Sequence, residues 1–172
     1  MDTITPEPLP LYQRPGFLLR RAHQISVGIF EEQCRPLGLT PPQYGVLVLI
    51  DASPGSDQSS LARAMGFDKV TTLRLVRGLE ERGMVHRALS QRDRRQHQLT
   101  LTDAGKALLQ ACAPLVELAY QRLVAPLEAD ELKELRRLLT KIETGLGPSA
   151  RVRMEPLMQK LPGGSATGTP TS

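Results

Sequence analysis

The sequence predicts a mainly α-helical fold with a small β wing, and three observations support this prediction. Two short helical segments joined by a tight turn lie within residues 59–82. Two short strand-like runs within 85–101 follow, and an arginine-rich segment separates them. Two longer leucine-rich helices then occupy 103–146. This order is typical of a winged helix-turn-helix that is flanked by N- and C-terminal helices.

The N-terminal part should consist of an arm and one helix. Residues 1–13 are rich in proline and have neither a helical nor a strand period, so we expect an extended arm. A helical pattern covers 16–34 and stops at Pro36 and Gly38. This first helix would form most of the segment 14–38, which we treat as one structural unit.

The second helix has an N-terminal signature at Thr40. Pro41 suits the first helical turn, and Gln43 stands three residues after the threonine, as in a capping box. We expect this helix to end near Ala52, before a Ser-Pro-Gly turn.

The third and fourth helices form the predicted helix-turn-helix. A short helix over 59–65 is followed by Gly66, which permits a sharp turn, and Asp68 can cap the fourth helix. That helix should run to Arg82 and end at Gly83. Helical spacing predicts a buried stripe and an opposite, exposed face; the stripe comprises Thr72, Leu75, Val76 and Leu79, and the face comprises Val70, Arg74, Arg77 and Glu81.

The wing and the C-terminal helices complete the fold. Alternating residues at 85–89 and 96–101 predict two strands around the basic tip. Thr102 should cap a long helix, and a further helix should begin at Glu128 or Asp130 and end near residue 145. Their leucine stripes exceed what so small a domain can cover, so we expect packing between subunits. Residues 147–172 should form a largely disordered tail.

Charge is concentrated in one part of the chain. The net charge is +4, and residues 57–102 carry nine basic and five acidic side chains, whereas the flanking segments are nearly balanced. A local cationic excess suits a polyanion such as duplex DNA. The apolar runs are too short to span a bilayer and the N-terminus does not resemble a secretory signal, so we expect a cytoplasmic protein.

The composition argues against several function classes. His23, His86 and His97 are scattered, and the sequence lacks a catalytic carboxylate pair, a serine-histidine arrangement or a phosphate loop, so we do not expect an enzyme. Cys34 and Cys112 are far apart in the sequence and have no metal-ligand neighbours. Neither a metal, a cofactor nor a disulfide framework is predicted.

The sequence resembles the MarR family of bacterial transcription regulators. The resemblance covers roughly residues 15–146. The matching motifs are Leu39-Thr40-Pro-Pro-Gln43, Leu79-Glu-Glu-Arg-Gly83-Met-Val85, and Asp93-x-Arg95 followed by Leu99-x-Leu101-Thr102-x-x-Gly105. The segment 14–24 is similar to members that control the breakdown of aromatic acids, such as nicotinate or hydroxycinnamate.

The resemblance implies an architecture and a function. Segments 14–38 and 103–146 would interlock in a homodimer, and 39–102 would form the DNA-binding lobe. Such a dimer would bind a pseudopalindromic operator with half-sites about one helical turn apart. Repression, relieved by a small aromatic carboxylate or phenolic effector, is the usual activity of the family.

Candidate DNA contacts lie on the fourth helix and the wing tip. Arg74 and Arg77 are expected to contact guanines in the major groove, and Lys69 and Thr71 to hold phosphates. Val70, with Leu73, would touch thymine methyl groups or else belong to the core. The resemblance puts Arg95 in the minor groove, oriented by Asp93. Phosphate contact or simple solvation remains open for the remaining tip arginines, Arg92 and Arg94.

Candidate effector ligands lie on the first two helices. Arg20 and His23 are i, i+3 neighbours that could reach one anion, Phe17 would contact an aromatic ring, and Tyr44 would add a hydroxyl. Arg14, which opens the segment of narrower resemblance, belongs to this set. Alternatively, Arg20 and Arg21 pair with acids of the partner subunit, and His23 is an exposed helix residue.

Two other functions remain open. One is a redox-sensing repressor that uses Cys34, although this cysteine falls at the end of its helix and Cys112 is expected to be packed inside the fifth helix. The other is a protein-interaction or architectural DNA-binding module that has no small-molecule effector and uses the leucine-rich helices.

Overall fold

The computed structural model describes residues 9–89 and 97–157 of the 172-residue chain. Within these residues the fold has six α-helices and three short β-strands. In chain order they are α1 (Pro15–Cys34), α2 (Pro41–Ala52), β1 (Ser56–Asp57), α3 (Gln58–Met65), α4 (Lys69–Glu81), β2 (Val85–Leu89), β3 (His97–Leu101), α5 (Asp103–Val124) and α6 (Ala129–Leu146). The predicted fold class, mainly α with a β wing, is confirmed.

Local sequence signals account for the helix boundaries. The backbone N–H of Thr40 donates to Oε1 of Gln43 at 3.1 Å, so α2 begins with the predicted capping box. The hydroxyl of Thr102 accepts from the N–H of Gly105 at 3.0 Å and caps α5. Glu128 caps α6, and its N–H donates to the carboxylate of Glu131 at 2.9 Å. These caps satisfy amides that have no partner within the helix.

The hydrophobic core lies where the helix-turn-helix, α2 and the sheet meet. Its fully buried members include Val46, Leu47, Ile50, Leu61, Val76, Leu79 and Leu99, which come from α2, α3, α4 and β3. The predicted stripe of α4 is confirmed, because Thr72, Val76 and Leu79 are buried and Leu75 is partly buried. The hydroxyl of Thr72 donates to the carbonyl oxygen of Asp68 at 3.0 Å, so this buried polar group is satisfied.

The sheet has one more strand than the sequence predicts. Its order is β1-β3-β2 and both pairings are antiparallel, with Ser56 opposite Leu99 and Val85 opposite Leu101. β1 has only two residues, too few to show a strand period, so a prediction from alternation misses it. Through β1 the wing is joined directly to the start of α3.

α5 packs along α1 and joins the helix-turn-helix and its sheet to the N-terminal helix. Arg122 donates to the carboxylate of Glu32 at 2.8 Å across this pair of helices. Near the end of α1, Cys34 and Cys112 are fully buried, and their sulfur atoms are 3.5 Å apart. The two cysteines are therefore distant in sequence but adjacent in the core, as free thiols.

α6 buries none of its residues in the single chain. One face carries a leucine-rich stripe at helical spacing, formed by Leu135, Leu138, Leu139, Ile142 and Leu146, all of them exposed. Leu18, Leu19 and Ile25 of α1 and Leu118 of α5 are also exposed. No helix in 9–89 or 97–157 is long and apolar enough to cross a membrane.

Both ends of the described chain differ from the expected arm and tail. A 3-10 turn at Leu11–Gln13 precedes α1, and the ring of Tyr12 lies edge-on to Phe17 at 5.1 Å, so the extended arm does not reach residue 13. After α6, a 3-10 turn at Gly147–Ser149 leads into a segment that returns to α3, where the N–H of Glu155 donates to the carbonyl oxygen of Arg63 at 3.0 Å. Part of the expected disordered tail thus has a defined course; residues 1–8 and 158–172 lie outside the described residues.

Candidate nucleic-acid interface

Asp57 sets the start of α3, the first helix of the helix-turn-helix. Its carboxylate accepts from the N–H groups of Ser59 and Ser60 at 2.8 and 2.9 Å and from the Ser60 hydroxyl at 2.7 Å. Partial burial acts to raise the pKa of Asp57, but these hydrogen bonds and the nearby Arg63 outweigh it, so the pKa lies below its ordinary value. The sequence analysis did not identify this cap.

The turn between α3 and α4 depends on Gly66 and Asp68. Gly66 has a φ of 63°, in the left-handed region that glycine adopts without steric cost. Asp68 then accepts from the N–H of Thr71 at 2.8 Å and from its hydroxyl at 3.0 Å. These bonds lower the pKa of Asp68 and keep it ionised at the start of α4. The turn and the cap agree with the sequence prediction.

α4 presents a cationic face to solvent. Arg74 and Arg77 are exposed, and they line a shallow concavity of about 380 Å³ together with Val70, Leu73, Gly78 and Glu81. Among the described residues, neither arginine has a carboxylate partner within 4.0 Å. Two guanidinium groups one helical turn apart, uncommitted within this part of the chain, suit bidentate pairing with guanine edges.

The structure distinguishes Val70 from Leu73. Val70 is 78% exposed, which places it on the outer face with the arginines and not in the core. Leu73 is half-buried at the edge of the concavity. An exposed apolar side chain at this position fits contact with a thymine methyl group better than core packing.

Lys69 and Thr71 lie in the first turn of α4 but differ in availability. Lys69 is exposed. The hydroxyl of Thr71 already donates to the carboxylate of Asp68, so that hydroxyl is not free to donate to a phosphate while the cap is intact. Lys69 is therefore the better candidate for a phosphate contact.

Arg82 fixes the C-terminal end of α4, and sequence analysis gave it no role. Its guanidinium donates to the carbonyl oxygens of Gly38 at 2.9 Å and of Leu37 at 3.0 Å, in the connection between α1 and α2. Glu80, two residues earlier in the last turn of α4, pairs with Arg87 of β2 at 3.4 Å. These contacts join α4 to the N-terminal helix on one side and to the wing on the other.

Gly105 allows α5 to approach the start of β2. A Cβ atom at this glycine would lie 2.1 Å from the carbonyl oxygen of Met84, much closer than any side chain can approach. The Thr102 hydroxyl donates to the carbonyl oxygen of Gly83 at 2.6 Å in the same place. The close backbone contact with Met84 by itself requires a glycine at this position.

The predicted wing-tip contacts lie outside the described residues. Arg92, Asp93, Arg94 and Arg95 all fall within 90–96, while the two strands that lead to the tip are described and paired from Val85–Leu89 to His97–Leu101. The roles of these four side chains therefore stay predictions.

At the start of α1, two of the predicted effector ligands meet. The Arg20 guanidinium lies 4.8 Å from the centroid of the Phe17 ring, and it also donates to Oε1 of Gln24 at 3.2 Å. Arg14 donates to the carbonyl oxygen of Leu9 at 3.0 Å, and His23 is exposed on α1. A cation held against an aromatic ring is suited to an aromatic carboxylate.

Tyr44 does not join this group within one chain. Its ring packs against Phe30 at a centroid distance of 5.8 Å, and burial, with the two cysteines nearby, raises its pKa. With a rise of about 1.5 Å per residue, Phe17 and Phe30 stand roughly 20 Å apart along α1. A small aromatic acid cannot span this distance, so a site that holds such an acid between Tyr44 and Arg20 would need residues from two protomers.

The comparisons with known proteins identify the family. Residues 37–96 match the model described as the MarR family. The transcriptional repressor NicR of Pseudomonas putida is 31% identical over 145 residues, which cover 80% of this chain and 92% of that protein. The chain therefore belongs to the MarR family, whose members here are DNA-binding transcription regulators and not enzymes.

Two solved structures share its fold. The repressor CouR bound to a 23-mer DNA duplex has a TM-score of 0.73 and 34% identity, and the match covers 79% of this chain and 99% of that one. BpsR of Bordetella bronchiseptica, whose DNA binding is regulated by 6-hydroxynicotinic acid, has a TM-score of 0.75 and 28% identity, over 80% of this chain and 98% of that one. The winged-helix fold is thus confirmed.

Proposed function

We propose that this transcriptional regulator is a homodimeric repressor that binds a pseudopalindromic operator and is released by a small aromatic carboxylate or phenol. The observation that carries the proposal is the outer face of α4, where exposed Arg74 and Arg77 flank the concavity that begins at Val70. The fold holds this helix by a cap at Asp68 and by Arg82, so its arginines are presented on a rigid element.

The apolar face of α6 supports a dimer. Five large apolar side chains on one stripe of this helix are exposed in the single chain, and a partner of the same kind would bury them. With roughly 25 cal/mol stabilisation per Å² of apolar surface removed from water, such a stripe is a strong driving force for association. Two lobes related by twofold symmetry would then contact two half-sites on one side of the duplex.

The first turns of α1 are the best candidate for the effector site. Arg20 would hold a carboxylate and Phe17 would stack against the ring, and Tyr44 would take part only if it came from the other protomer. The regulation of BpsR by 6-hydroxynicotinic acid and a structure of CouR from Rhodococcus jostii with p-coumaroyl-CoA support an effector of aromatic character.

A ligand can release DNA only if it binds more tightly to a lobe arrangement that no longer matches the half-sites. Arg82 offers a direct connection for this coupling, because it joins the end of α4 to the carbonyl groups just after α1. A shift of α1 on ligand binding would therefore be transmitted to α4, which we call the recognition helix because it would enter the major groove.

The test is protection mapping of the DNA next to the gene, with and without aromatic acids. We expect two protected half-sites with their centres about one helical turn apart, and loss of protection when the correct acid is added. Equal affinity for this DNA and for a random duplex would instead favour an architectural protein. An Arg20→Ala variant that retains the full ligand response would remove Arg20 from the effector site.

A further inference from the structure

The segment that follows α6 returns to the helix-turn-helix and adds cationic side chains beside the recognition helix. We call residues 150–157 the returning segment. Its Arg151 and Arg153 line one groove of about 440 Å³ together with Arg63 of α3 and Lys69 of α4. It extends the cationic surface beyond the helix-turn-helix itself.

Several contacts hold the returning segment in this place. Glu155 donates its N–H to the carbonyl oxygen of Arg63 at 3.0 Å, and its carboxylate pairs with the Arg63 guanidinium at 2.9 Å. The side chain of Met154 lies against the turn at Gly66. Arg153 donates to the carbonyl oxygen of Pro148 at 3.3 Å, which fixes the bend after α6.

The charges of the groove do not cancel. Asp68 and Glu155 are the acidic side chains at or beside it, and Glu155 is paired with Arg63. Arg151 and Arg153 are exposed, and within 9–89 and 97–157 neither has a carboxylate within 4.0 Å. The groove is therefore a cationic surface whose arginines have donors left for an anion.

The position of the groove determines which anion it meets. Lys69, the first residue of α4, is part of its wall, so the groove adjoins the end of the recognition helix that enters DNA. When α4 lies in the major groove of DNA, the sugar-phosphate strand at the edge of that major groove passes the end of α4. Arginine guanidinium groups there would pair with phosphate oxygens.

We infer that Arg151 and Arg153 form an additional phosphate-binding surface, by which the returning segment holds the DNA backbone beside each recognition helix. This inference rests on the proposed DNA-binding function. The surface contributes affinity without sequence preference, since phosphates are the same at every site. Its measurable property is the salt dependence of binding.

The experiment compares binding of a mixed-sequence duplex at several salt concentrations. The association constant for DNA falls as salt rises. In the double variant Arg151→Gln/Arg153→Gln, the slope of its logarithm against the logarithm of the salt concentration should be less steep by about 1.8 per protomer, because each lost phosphate contact removes about 0.9. Arg151→Lys/Arg153→Lys should keep most of the slope. The matched control Lys133→Gln/Arg136→Gln removes the same charge from exposed positions on α6 and should leave the slope unchanged.

Three results would overturn the inference: an unchanged slope in the glutamine variant, an equal reduction in the α6 control, or tighter binding after the arginines are removed, which would mean that the segment obstructs DNA. Failure of the proposed function looks different. In that case the wild-type protein would not prefer the operator over the mixed-sequence duplex, whatever the slopes of the variants.

Discussion

The guanidinium of Arg82 donates to the carbonyl oxygen of Gly38 at 2.9 Å, across 44 residues of sequence. A second bond, 3.0 Å long, reaches the neighbouring carbonyl of Leu37. The end of the recognition helix is thereby attached to the residues that follow the first helix. A change in either helix must move the other or break these bonds.

Replacing Arg82 by alanine should weaken operator binding while the dimer is retained. Because the two bonds are solvent-exposed, we expect the free energy of unfolding to fall by only about 1 kcal/mol. Urea unfolding and a gel shift at fixed salt measure the two effects. Arg82→Lys keeps the charge but cannot bridge both carbonyls, so it should resemble the alanine variant; wild-type operator affinity in both would show that this connection does not position α4.

Gly105→Ala should destabilise the protein by about 1–3 kcal/mol, since its Cβ would collide with the carbonyl oxygen of Met84 and force a backbone shift. Thermal or urea unfolding measures this change. Gly145 in α6 is the matched control, because a Cβ there meets nothing within 4 Å. Gly145→Ala should stabilise by roughly 0.5–1 kcal/mol, as alanine is the better helix former. Equal effects of the two substitutions would contradict the close approach.

The cap at Asp57 should make the free energy of unfolding depend on pH in the acidic range. Its pKa is lowered in the folded state, so its contribution is present above the unfolded pKa of about 3.9 and is lost as pH falls through the lower folded value. Asp57→Ala should cost about 1 kcal/mol at neutral pH. Asp57→Asn retains one capping oxygen but does not titrate. Urea unfolding between about pH 2 and 7 should therefore show a smaller acid-dependent loss for this variant.

The thiols of Cys34 and Cys112 should be unreactive in the folded protein. Both are fully buried, and burial, with a contribution from Cys34, raises the pKa of Cys112 to about 12, so its thiolate is scarce at neutral pH. We expect a thiol reagent to react only after urea is added and DNA binding to be insensitive to peroxide. Rapid reaction without urea, with loss of DNA binding that a reductant restores, would favour the redox-sensing alternative.

The arginines of α4 and of the wing should differ in what they contribute. Arg74→Ala or Arg77→Ala should reduce discrimination between operator and random duplex by about 1–3 kcal/mol.

Arg95→Ala should weaken operator binding strongly with the fold intact, and Arg92→Ala should reduce the salt slope without changing sequence preference. Circular dichroism checks the fold. Unchanged operator affinity in Arg95→Ala would exclude the wing from the mechanism.

The sequence by itself determined the local elements of this protein. The cap at Asp68, the turn at Gly66 and the capping box at Thr40 are specified by side chains within a few residues of the backbone groups they satisfy. The same is true of the buried stripe and exposed face of α4, because helical spacing alone decides which side chains share a face. These features could be predicted without the rest of the fold.

Only the tertiary structure decided the contacts between distant segments. Four such contacts leave no periodic signal in the sequence. They are the pairing of β1 with β3, the contact of Cys34 with Cys112, the bonds from Arg82 to the α1–α2 connection, and the return of residues 150–157 to α3. Likewise, Tyr44 packs against Phe30 and not with Phe17. Such contacts depend on where whole helices come to rest, which is set by the burial of the common core and not by the spacing of neighbouring residues.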